Sequence, residues 1–153
     1  MTPRARIIAL GQDAAGDDGV GFAILEWLRR HPLGDDVELV RAREDVALVG
    51  LLETPAPVVL IDAVLGTPAG EVLAFAPEDL AARASLVVST HGLGIAQAIE
   101  LARVLAPDEV SSCIRIVGVT IARPQRYEQG LSPAVAAAVP RAGERVLAEI
   151  AGC

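Results

Sequence analysis

Residues 6–30, RIIALGQDAAGDDGVGFAILEWLRR, decide the fold class. RIIAL (6–10) is a short apolar run that stops at Gly11, the pattern of a strand buried on both faces. A loop with Gly11, Gln12, Asp13 and Gly16 follows. Beyond it, Val20, Ile24, Trp27 and Leu28 recur at i, i+4, i+7 and i+8, which is one face of a helix. Asp17 or Asp18 stands where a helix cap belongs, and Pro32 ends the helix after His31. Of the two acids, Asp17 is assigned the cap and Asp18 the site.

The same alternation continues along the chain. VELV (37–40) is a second strand, and residues 44–54 form a helix ended by Pro55. PVVLIDAV (57–64) is continuous and β-branched, the clearest strand of all. EVLAF (71–75) is a shorter strand suited to an edge, and SLVVST (85–90) is another buried one. A helix over 92–105 presents Ile95, Ala98, Ile99, Ala102 and Leu105 on one face. CIRIVGVTI (113–121) is the last strand. Ser132 followed by Pro133 is a helix start. That helix runs to residue 150 with Val135, Val139, Val146 and Ile150 inward, and Pro140 should kink or divide it. Strands alternating with helices define an α/β domain with a mostly parallel sheet. At 153 residues the chain makes a single domain spanning 1–153.

Composition narrows the function classes. Hydrophobic residues are 52% and aromatics only 3%, so Val, Leu, Ile and Ala fill the core. No apolar stretch of about 18 residues could span a membrane. The N-terminal apolar run ends within about five residues, too short for a secretory leader, so the expected location is cytoplasmic. The net charge of −7 argues against nucleic acid and anionic membranes as partners, since both call for clustered basic charge. Cys113 and Cys153 are too few for a disulfide framework and are expected as a buried small hydrophobe and a tail thiol.

The polar residues converge at one edge. Asp18 lies after the first strand, Asp62 interrupts the most apolar strand near its carboxyl end, and His91 follows SLVVST. In an open parallel sheet, ligands bind beyond the carboxyl ends of the strands. Each residue has a plainer explanation, as a helix cap or a satisfied core group. Asp62 is the hardest to explain that way, because a buried carboxylate is costly unless bonded. Two carboxylates and an imidazole suit a divalent transition metal with open positions. His31, at a helix end where the dipole favours its cation, is assigned a structural role. The loop GQDAAG lacks the glycine spacing of a dinucleotide site, and its acids would repel a pyrophosphate.

Five blocks in order resemble the hydrogenase maturation proteases: GDDGVG (16–21), LIDAV (60–64), STHGLG (89–94), IVGVTI (116–121) and GLSPAV (130–135). The resemblance implies a three-layer α/β sandwich, a twisted sheet of about five strands with helices on both faces. It implies an endopeptidase that removes the C-terminal extension of a nickel–iron hydrogenase large-subunit precursor after nickel insertion. Asp18, Asp62 and His91 match the family's metal-contacting and catalytic positions. Nickel would arrive within the precursor, with no tightly bound organic cofactor, and the enzyme would act as a monomer. The chain departs from the family at Gln12, where Asn is usual, and at RAREDVAL (41–48), where many members carry Asp-Gly-Gly-Thr. Two other functions fit the pattern: a non-catalytic nickel-binding checkpoint or chaperone, and a hydrolase resembling peptidyl-tRNA hydrolase, which the acidic charge disfavours.

Overall fold

The structure, a computed structural model, describes residues 3–11, 16–42, 45–82, 94–122 and 130–153. Among the described residues five strands form one sheet: β1 (Ala5–Leu10), β2 (Val37–Ala42), β3 (Val58–Leu65), β4 (Val72–Phe75) and β5 (Ile114–Ile121). Their spatial order is β2-β1-β3-β5-β4, and only β4, at the edge, runs antiparallel. A 3-10 turn (Gly16–Gly19) leads into α1 (Val20–Arg29), followed by α2 (Asp45–Leu51), α3 (Pro77–Ala82), α4 (Gly94–Leu105) and α5 (Pro133–Ala151). SLVVST (85–90) and His91 lie outside the described residues.

The apolar runs are continuous because both faces of the central strands are covered. Successive side chains leave a strand on opposite sides. Ile7, Ala9, Val59, Ile61, Val117 and Val119 therefore meet Ile24, Leu25 and Leu28 of α1 and Val135, Ala138 and Val146 of α5. Ile8, Leu10, Val58, Leu60, Ile114 and Ile116 meet Leu48 of α2 and Ile95, Ala98, Ile99 and Ala102 of α4. The result is the expected three-layer α/β sandwich. No described helix is long and apolar enough to cross a membrane.

Close helix contacts rest on missing side chains. A Cβ at Gly143 of α5 would lie 2.2 Å from the Trp27 ring of α1. That ring stacks on His31 at 3.7 Å between centroids, and His31 Nδ1 donates to the Trp27 carbonyl at 2.7 Å. His31 thus closes the end of α1.

Four details differ from the sequence-based expectation. Leu105 is 63% exposed, because α4 buries only Ile95, Ala98, Ile99 and Ala102. Of the two outcomes expected at Pro140, a kink or a division, the division does not occur: α5 is continuous from Pro133 to Ala151. The short helix α3 was not expected. It begins at Pro77, with the Asp79 carboxylate accepting from the Ala76 N–H at 3.1 Å. Cys113 and Cys153 form a disulfide with Cα atoms 5.9 Å apart, tying the end of α5 to the start of β5. Forty residues of separation hid that pairing from any spacing motif.

Candidate active site

β1 stops at Leu10, whereas β3 runs on to Leu65 with β5 as its neighbour. The last β1–β3 pair is Ala9 with Ile61, so Asp62 is the first β3 residue beyond it. From β1 the chain leaves to β2 on one side, and β3 lies on the other. That reversal of direction is the switch point where open α/β sheets bind ligands. Asp62 therefore stands at the crevice although β3 continues for three more residues.

Asp62 is fully buried. Its position in β3 is in step with Val58 and Leu60, which puts it on the α2/α4 face. Its Oδ1 accepts from the Ala63 N–H at 2.8 Å, which fixes the carboxylate's orientation. Across the ladder Asp62 is paired with Gly118 of β5. A Cβ at Gly118 would come within 3.1 Å of Val64, so glycine lets β5 lie close beside this stretch.

Asp18 is also buried, within the 3-10 turn that packs against β3. Two glycines set the height of this turn. A Cβ at Gly11 would lie 3.0 Å from the Asp18 carbonyl oxygen, and one at Gly21 would lie 2.6 Å from the Leu10 carbonyl oxygen. Only glycine at these points brings the turn and the start of α1 down onto the end of β1. Gly16 enters the turn at φ 58°, a left-handed conformation that glycine adopts without strain.

Asp17 has a different job from the one expected. It does not cap α1, whose N-cap is Gly19 without a side-chain bond. Its carboxylate accepts from the Ser132 N–H at 2.6 Å and from the Ser132 hydroxyl at 2.8 Å. Ser132 is the N-cap of α5, as expected, but its hydroxyl makes no bond to its own helix. The GDDG turn and the GLSP segment, 115 residues apart, are thereby joined.

The start of α5 is itself held firmly. Gly70, at φ 89°, packs so closely that a Cβ would lie 2.5 Å from the Ala134 carbonyl oxygen. Arg141 donates to the Gly70 carbonyl at 3.0 Å. Thr120 fixes the same β3–β4 connection, its hydroxyl donating to the Pro68 carbonyl at 2.7 Å and accepting from the Glu71 N–H at 2.8 Å. In the segment that departs from the family pattern, Arg41 pairs with Glu26 at 3.0 Å and lies over the Phe22 ring. It holds the end of β2 against α1.

Of the three expected site residues, the described structure thus brings Asp18 and Asp62 to the switch point. Among the described residues no three acids, histidines or cysteines gather to hold a metal. His91, the third, lies outside them.

A doubly wound α/β domain with two buried carboxylates at its switch point is the class defined so far. The comparisons with known proteins specify it. The model of the hydrogenase maturation protease family matches residues 43–149. The protein FrxA of Pyrococcus furiosus is 33% identical over 143 residues, covering 88% of this chain and 96% of that protein. The hydrogenase maturating endopeptidase HybD of E. coli superposes with a TM-score of 0.80 at 25% identity, covering 97% of this chain and 93% of that one. The maturation protease HybD of Thermococcus kodakarensis shares the fold, with a TM-score of 0.77 at 23% identity over 95% of this chain and 97% of that one. The chain belongs to the hydrogenase maturation protease family and is accordingly an endopeptidase.

Proposed function

We propose that the chain removes the C-terminal extension of a nickel–iron hydrogenase large-subunit precursor once nickel is in place, and that Asp18, Asp62 and His91 contact that nickel. The observation that carries this is Asp62: a fully buried carboxylate where β3 passes the end of β1, beside the buried Asp18 turn. Burying a carboxylate is costly, and two of them at a ligand-binding crevice favour a cationic ligand. His91 joins the set through the resemblance of STHGLG (89–94) to the family's pattern.

Two carboxylates and an imidazole leave room for further ligands on a transition metal. Asp62, oriented by the Ala63 N–H, and Asp18, held on its glycine-bounded turn, would dock the nickel carried by the precursor and align the tail against it. Metal with an open position polarises a carbonyl or activates water for hydrolysis. Nickel is part of the substrate here, so its presence would report that insertion is complete. The enzyme would work in the cytoplasm as a monomer, without nucleic acid.

The test is to incubate purified protein with precursor loaded with nickel and free of it, and to weigh the product. Loss of C-terminal mass only in the loaded sample is expected. Binding without shortening would replace the peptidase assignment with a nickel checkpoint, and cleavage independent of nickel would remove the metal-recognition role.

A further inference from the structure

We propose that Asp17 and Ser132 form a latch that positions Asp18, making both of them positioning residues for the cleavage step; the proposal rests on Asp18 belonging to the nickel-contacting site.

The two neighbouring acids are both buried. Asp17 accepts two hydrogen bonds from Ser132, at 2.6 and 2.8 Å. Bonds to an ionised acceptor are roughly twice as strong as neutral ones. In a 3-10 turn consecutive side chains leave the axis about 120° apart. With Asp17 committed to α5, Asp18 is directed away from α5.

The rest of the fold makes this a lock and not an incidental contact. Ser132 gives its hydroxyl to Asp17 in place of capping its own helix. The first turn of α5 is seated against Gly70 by the Ala134 carbonyl, and Arg141 fastens the same point. Asp17 is thus bonded to a platform that cannot drift. On the other side, Asp18's own carbonyl rests over Gly11. The residue is clamped between the end of β1 and the start of α5, and the latch supplies the α5 side of that clamp.

The experiment uses full-length protein and nickel-loaded precursor, and measures kcat, KM and Tm for Asp17→Ala, Ser132→Ala, Ser132→Thr and the double alanine variant. Ser132→Ala keeps the backbone bond to Asp17 and therefore folds even if Asp17→Ala does not. Expected is a fall in kcat of about tenfold for Ser132→Ala and up to about a hundredfold for Asp17→Ala, the scale of a small misplacement at a reacting centre. KM should change less than about threefold, and Ser132→Thr should restore most of the rate. The double variant should be no slower than Asp17→Ala, because both changes remove one contact. Wild-type kcat in folded Asp17→Ala or Ser132→Ala, or losses that multiply in the double variant, would overturn the latch while leaving the peptidase assignment standing. A wild-type protein that fails to shorten the precursor would remove both.

Discussion

Gly21→Ala tests whether α1 must touch the sheet to place Asp18. An added Cβ would sit 2.6 Å from the Leu10 carbonyl oxygen, 3.4 Å from that of Ile61 and 3.5 Å from the Ala9 Cβ. The first obstacle is backbone at the end of a central strand, so it cannot rotate away. The start of α1 has to retreat by about half an ångström to clear the outright clash. Overpacking of this kind costs about 1–3 kcal/mol, while replacing a helical glycine by alanine returns about 1 kcal/mol. A net loss of about 1 kcal/mol follows, lowering Tm by about 2–4 °C in a chain of this size. Without the close approach the sign reverses, and alanine would stabilise. The 3-10 turn carrying Asp18 is continuous with α1 and moves with it. If a 1 Å displacement costs about a hundredfold in rate, half of that costs roughly tenfold. Urea unfolding and precursor processing read the two effects separately. A variant as stable as wild type, or more so, would refute the described seating of α1. Reduced stability with an unchanged rate would leave the seating correct and show that Asp18 does not depend on it.

Gly143→Ala should also destabilise, by about 1–3 kcal/mol, because its Cβ meets the Trp27 ring at 2.2 Å. In a Trp27→Leu background the same change should be neutral or stabilising, and a thermal-melt cycle decides it. Asp62→Asn keeps an oxygen to accept from the Ala63 N–H, so Tm should stay within a few degrees while processing is abolished; normal processing would remove Asp62 from the site. Breaking the Cys113–Cys153 bond with Cys153→Ser opens a 40-residue separation, worth up to about 4 kcal/mol in the chain-entropy model. A lowered Tm is expected, together with an intact-protein mass that shows no free thiol in the wild type. Free thiols in the oxidised wild-type protein would contradict the bond.

What the sequence revealed follows from range. β3 and β5 are legible because strands buried on both faces must be apolar throughout. The faces of α1 and α5 are legible because 3.6-residue periodicity is local. Asp62 stood out for a similar reason, as one carboxylate inside an apolar run. Asp17 was misassigned because two adjacent acids before a helix look alike as caps, and the group that distinguishes them is Ser132, far along the chain. The motifs GDDGVG and GLSPAV were visible separately, but their contact was not. Leu105 continues the apolar stripe of α4 at helical spacing, yet no described element covers the helix end there. α3 was too short for periodicity to declare itself, and Pro77 with Asp79 was the one available signal.

The two ends of α5 do opposite things. Its nineteen residues span about 28 Å. It begins beside the turn that carries Asp17 and Asp18 and ends bonded to Cys113, ahead of β5. Cys113 lies five residues before Gly118, the neighbour of Asp62, a distance of about 16 Å along the strand. The helix therefore crosses from the crevice side of the sheet to the opposite shore, where Cys153 moors it covalently to the approach to β5.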